Sequence, residues 1–152
     1  MKWNTGCASV ASDVVVDTNV VAYYLLGTVP FADEARAFWR VGDSVSAPAH
    51  WQAELANVIW MAVRTGVLAA DEGHRRLDFA SRLRIRSVSI GSLWQRALAT
   101  ALASDVSVYD SLFVELARRQ RSLLVTFDAR VLKAFPEIAR RPSEASSESR
   151  RR

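Results

Sequence analysis

Four carboxylates stand where side chains of that type can do chemistry. Asp17 directly follows Val14-Val15-Val16, and Asp128 directly follows Leu123-Leu124-Val125-Thr126-Phe127. Each apolar run reads as a short core strand, so each Asp belongs at a strand's carboxyl end. Asp110 opens a helical segment three residues after Ser107, and Glu54 lies on a long apolar helix. Every one of these positions also has a purely structural reading. Asp is common in turns and caps after strands, and Ser107-x-x-Asp110 has the form of a capping box. His50, Glu54, Asn57, Arg64 and Thr65 share one helical sector that solvent alone could cover.

Brought together, such acids pose an electrostatic problem. Two carboxylates ~4 Å apart repel by about 4 kcal/mol at an effective dielectric near 20. A cluster of three or four must take up protons, spread apart or bind a cation. Oxygen-only ligands favour Mg2+ or Mn2+ over zinc, and such ions activate water and neutralise a phosphodiester under in-line attack. This chemistry needs no His pair, which suits a chain with only His50 and His74. Two His and the lone Cys7 nearly exclude a zinc site of the N/S type. The P-loop, GxGxxG, GxSxG and HExxH patterns are absent. An Asp-nucleophile phosphatase would want a second Asp two residues after Asp17, where the chain has Asn19.

The elements that must position these acids alternate along the chain. Short strands are expected at Val14–Val16, Ser44–Ala47, Arg84–Ile90 and Ser122–Thr126. Helices are expected at Thr18–Leu26, Pro30–Arg40, Ala49–Thr65, Ala70–Leu83, Gly91–Ser104, Ser107–Gln120 and Ala129–Phe135. Alternation with continuous apolar strands predicts a three-layer α/β/α sandwich around a central parallel sheet, with the site at the carboxyl ends of the strands. Residues 1–11 read as a flexible arm, 12–139 as one domain, and 140–152 as a disordered basic, Ser-rich tail. With 152 residues, half of them hydrophobic, one domain can bury a core without disulfides. The longest apolar run, Val20–Leu26, is far short of the ~18 residues of a membrane span. The single Cys and the lack of a secretory pattern in Met1–Val10 suit a cytoplasmic protein.

At the same residues the chain resembles a known family. Val14-Val-Val-Asp17-Thr-Asn19-Val-Val, Trp51-Gln-Ala-Glu54-Leu-Ala, Tyr109-Asp110-Ser-Leu-Phe-Val-Glu-Leu-Ala117 and Leu124-Val-Thr-Phe-Asp128 are similar to the motifs of the PIN domain. Within that family they resemble the VapC-like toxins of type II toxin–antitoxin systems. The resemblance runs from Asp13 to Phe135, and Asp110 and Asp128 lie 18 positions apart. It implies a metal-dependent endoribonuclease, usually homodimeric, with Asp17, Glu54, Asp110 and Asp128 around one or two Mg2+ or Mn2+ ions. It implies support from Thr18, Asn19 and Thr126, an RNA substrate, and a small antitoxin that occludes the acidic pocket. The arm before Asp13 and the segment beyond Pro142 depart from the family pattern. A PIN-like binding or regulatory module without turnover is the alternative.

The charge is +4, and all 20 basic residues except Lys2 and Lys133 are Arg. Arg75, Arg76, Arg82, Arg84, Arg86, Arg118, Arg119 and Arg121 either border an RNA path or cover solvated faces. The five Trp are expected in the core or a dimer contact. Tyr23, Tyr24, Leu25 and Leu26 could line a dimer or antitoxin groove.

Overall fold

Three consecutive β-branched residues, too stiff at χ1 to favour a helix, make the central strand. In a computed structural model, which describes residues 13–41 and 44–149, β1 (Val14–Val16) is buried along its whole length. It is flanked by β2 (Val45–Pro48) and β4 (Leu123–Val125), with β3 (Arg86–Val88) and β5 (Ala139–Arg140) at the edges. All four pairings are parallel, and the order is β3-β2-β1-β4-β5. From β1 the chain winds outward through β2 and β3, then returns to the other side for β4 and β5. The order therefore reverses between β1 and β4, the place where open α/β sheets leave a crevice at their carboxyl edge.

Helices α1 (Thr18–Leu26), α2 (Ala32–Trp39), α3 (Trp51–Arg64), α4 (Ala70–Ser81), α5 (Trp94–Ser104), α6 (Val108–Gln120), α7 (Ala129–Ala134) and α8 (Pro142–Ser149) complete a three-layer α/β/α sandwich. α6 packs on β1, β2 and β4 with α5 alongside, while α1 packs on α2, α3 and α4. Gly27 ends α1 in the left-handed region at φ 65°, its N–H closing on the Tyr23 carbonyl. A Cβ at Gly73 would meet Ile59 and Val63 methyl carbons at 3.1 Å, so glycine allows the close approach of α4 to α3.

The C-terminal segment differs from the expected disordered tail. Its residues 139–149 form β5 and α8. Pro142 occupies the first helical position and Ala145 is buried. The Arg141 guanidinium lies over the Phe127 ring at 5.3 Å and bonds Glu34, whose carboxylate also accepts from the Ser143 N–H and hydroxyl at 3.1 and 2.8 Å. The start of α8 is thus capped from two sides, by its own Glu144, which accepts the Arg141 N–H at 2.9 Å, and by the remote Glu34 of α2. The arm 1–11 lies outside the described residues. The helix expected over Gly91–Ser104 is broken at buried Leu93 into a 3₁₀ turn (Ile90–Ser92) and α5.

Among the described residues no single helix is long and apolar enough to cross a membrane. Tyr23 stacks on Phe31 at 4.7 Å, Tyr24 packs near Trp39 and Phe79, and Leu25 is buried. Tyr23, Tyr24 and Leu26 pack against the core and remain partly exposed. Trp51 is buried and donates its indole N–H to Ser87 at 2.8 Å, whereas Trp60 and Trp94 are more than half exposed.

Candidate active site

The register of β1 against β4 builds the first half of the site. Val16 pairs with Val125, so the next residues out, Asp17 and Thr126, emerge side by side at the carboxyl edge. The Thr126 hydroxyl donates to Asp17 Oδ2 at 2.7 Å and accepts the Asp128 N–H at 2.9 Å. Asn19 bridges the same seam. Its Nδ2 donates to Asp17 Oδ2 at 3.1 Å, and its Oδ1 accepts the Phe127 N–H at 3.2 Å. Asp17 is also the N-cap of α1. Asn19 and Thr126, the residues expected to support the site, are both bonded to Asp17.

Asp17 is buried, and burial pushes its carboxyl up to about 7, against the pull of the Thr126 hydroxyl. The charges of Asp110 and Glu54 raise it further. Two of the other candidate acids therefore act electrostatically on Asp17. Glu54, on the first turn of α3, accepts the Thr18 hydroxyl at 2.6 Å through Oε2, and its Oε1 lies 3.6 Å from His50 Nε2. Asp110, on the first turn of α6, is bound by Ser107 in both directions. The Ser107 hydroxyl donates to Asp110 Oδ2 at 2.7 Å and accepts the Asp110 N–H at 3.1 Å. The capping reading of Asp110 is thus met, and Oδ1 is left to face other partners.

Asp128 is placed differently. It is the N-cap of α7, its Oδ1 accepting from the Arg130 and Val131 N–H groups at 2.8 and 3.3 Å. It joins the others through Thr126, and only Oδ2 is free of the helix. Among the described residues no three His, Cys, Asp or Glu side chains stand close enough to hold a metal ion as they lie. The donor chemistry nevertheless suits a hard divalent cation. All donors are carboxylate oxygen, and a buried Asp under like charges is the group whose ionised form a cation would stabilise.

The PIN domain model matches residues 14–140, from the first residue of β1 to the last of β5. The chain belongs to the PIN domain family. It is similar to Ribonuclease VapC3 of Pyrobaculum aerophilum, 33% identical over 89 residues, which is 56% of this chain. The chain spans 66% of that relative's length, just under two thirds.

Of the arginines read as an RNA path, seven are placed away from this PIN domain's acidic edge or on its helix surfaces: Arg75, Arg76, Arg84, Arg86, Arg118, Arg119 and Arg121. Arg84 and Arg86 precede or open β3, and Arg121 precedes β4, so they sit at the amino edge of the parallel sheet. Arg118, Arg119 and Arg121 follow Asp110 by roughly 12 to 16 Å of helix rise along α6. Arg75 and Arg76 pair with Asp71 and Glu72 on the exposed surface of α4. Two residues outside the predicted set do lie at the carboxyl edge. Arg130, on the first turn of α7, is 74% exposed with its guanidinium 3.8 Å from Asp128 Oδ2. His50 lies between β2 and α3, buried behind Glu54. A local sequence signal was available for Arg130, two residues after Asp128, whereas the burial of His50 comes from its contacts with α6.

Proposed function

We propose that this PIN domain is a Mg2+- or Mn2+-dependent endoribonuclease that hydrolyses RNA phosphodiester bonds, the toxin of a toxin–antitoxin pair. The observation that carries the reading is Asp17 at the sheet's switch point, its carboxyl raised to about 7 chiefly by burial, with the charges of Asp110 and Glu54 adding to the rise. Likeness to a protein named ribonuclease supports the choice of RNA. Asp17, Glu54 and Asp110 would hold the ion, with Asp128 reaching it through Oδ2. A bound divalent ion supplies an acidified water and neutralises phosphodiester charge.

The chain's own residues do the positioning. Thr126 and Asn19 fix both oxygens of Asp17, Thr18 fixes one oxygen of Glu54, and Ser107 fixes one oxygen of Asp110. Arg130 provides a guanidinium at the rim for a backbone phosphate. A small antitoxin covering the acidic edge, a homodimeric state and a cytoplasmic location complete the proposal.

The spread of the acids and the capping role of Asp128 favour one competing reading, a binding module without turnover. The test is cleavage of unstructured and structured RNAs with Mg2+, Mn2+ or EDTA, with Asp17→Asn and Asp110→Asn alongside. The nuclease reading expects metal-dependent cleavage that both variants lose while remaining folded. RNA binding without cleavage under every metal condition decides for the module.

A further inference from the structure

His50 is not accounted for by packing. Its side chain is 11% exposed, and its ring lies against Phe113 and Tyr109, at 4.9 and 6.0 Å between centroids. Neither ring nitrogen has a hydrogen-bond partner. A neutral imidazole carries one donor and one acceptor, and burying them unpaired costs free energy that a plain aromatic ring would avoid. The polar atom that Nε2 faces is Glu54 Oε1 at 3.6 Å, a few tenths of an ångström beyond a hydrogen bond. The other oxygen of that carboxylate is already held by Thr18 at 2.6 Å.

We infer that His50 is a positioning residue for Glu54, its Nε2–H closing on Oε1 so that His50 and Thr18 hold the carboxylate from two sides. A carboxylate so held points its remaining lone pairs in one direction, the condition for ligating an ion with defined geometry. Phe113 and Tyr109 fix the plane of the imidazole. The consequence for cleavage rests on the ribonuclease reading, whereas the His50–Glu54 contact does not.

The test compares the full-length wild type with His50→Phe, which keeps the aromatic packing and removes the donor, and His50→Gln, which restores an N–H. Three properties are read: Mn2+ affinity by electron paramagnetic resonance of the free ion, the kcat and KM of RNA cleavage, and the protonated imidazole nitrogen by 15N NMR at pH 8. The expected result is a roughly 10- to 100-fold loss of Mn2+ affinity or kcat in His50→Phe with KM for RNA little changed. Substantial recovery is expected in His50→Gln, with the proton on Nε2 of the wild type. Wild-type affinity and kcat in a folded His50→Phe overturns the inference, as does a wild-type imidazole with bare Nε2. Should the wild type neither bind Mn2+ nor cleave RNA, the ribonuclease reading fails, and NMR still decides the contact. A protonated Nε2 whose hydrogen exchange quickens in Glu54→Ala upholds it, and a bare Nε2 overturns it. The wild-type NMR measurement also stands if His50→Phe does not fold.

Discussion

Thr126 holds Asp17 across the seam between two strands that lie 109 positions apart in the chain, its hydroxyl 2.7 Å from Asp17 Oδ2. The bond lowers the Asp17 pKa against burial, and the same oxygen receives the Asp128 N–H. Thr126→Val removes the hydroxyl and keeps the branched shape. The carboxyl of Asp17 should rise further, so an activity that needs it ionised shifts its ascending pH limb upward by about one unit. Losing the donor to a buried acceptor should also cost about 1–3 kcal/mol in stability. The pH–rate profile and a denaturant titration check the two effects separately.

Asp17 also makes folding stability depend on pH in a direction opposite to most acids. Its carboxyl is raised from 3.8 to about 7, so the folded state binds a proton that the unfolded chain releases between those values. Its contribution is fully present below pH 4 and is lost as pH rises toward 7. Three units correspond to a loss on the order of 4 kcal/mol. With EDTA present, Asp17→Asn should therefore match the wild type at pH 4 and melt at a higher temperature at pH 8. Added Mn2+ should raise the wild-type melting temperature at pH 8 and leave that of Asp17→Asn unchanged. Thermal melts across pH, with and without Mn2+, test this. Equal melting temperatures at pH 8 in EDTA would contradict it.

The legible parts of this molecule are those encoded by local pattern. Asp17 could be placed because an uninterrupted Val run must be a buried strand, and the residue after such a strand lies at the site edge in a parallel sheet. Ser107 and Asp110 announced a helix start, and the structure has it. What escaped depends on contacts between distant segments. α8 buries only Pro142 and Ala145 among its described side chains and is anchored by Glu34, 107 positions before Arg141. Periodicity put His50 on a polar helical sector, yet Phe113 and Tyr109 of α6 bury it. The arginine runs carried no information on which sheet edge they would reach, because that depends on strand order.

That strand order leaves Arg130 as an exposed cation beside Asp128 at the carboxyl edge, where Arg141 is paired with Glu34, while Arg84 and Arg121 lie at the opposite edge. An acidic pocket that takes a polyanion needs positive charge beside it. Arg130→Ala should weaken RNA binding several-fold, raise KM with little change in kcat, and reduce the salt slope of binding by about one. Arg84→Ala and Arg121→Ala should leave KM within about twofold of wild type, since neither reaches the pocket. Binding titrations over a range of salt concentrations separate these outcomes. Equal effects from both edges would mean that RNA follows another path.

Glu34 is the residue through which the C-terminal helix is secured. Its carboxylate takes Arg141 and both donors of Ser143, and the Arg141 hydrogen bond, ahead of the others, holds its pKa below the usual carboxylate value. A depressed folded pKa gives stability that is present at neutral pH and lost as pH falls through the lowered folded value. Glu34→Ala removes every one of these acceptors and leaves Arg141 over Phe127 without its partner. The expected cost is about 1–3 kcal/mol at pH 7, smaller once acid protonates Glu34 in the folded state, with amide hydrogens of 144–148 exchanging faster while those of β1 stay protected. Hydrogen exchange followed residue by residue tests this directly. If α8 stayed as protected as in the wild type, Ala145 burial and the Arg141–Phe127 stacking would have to be holding the helix without Glu34.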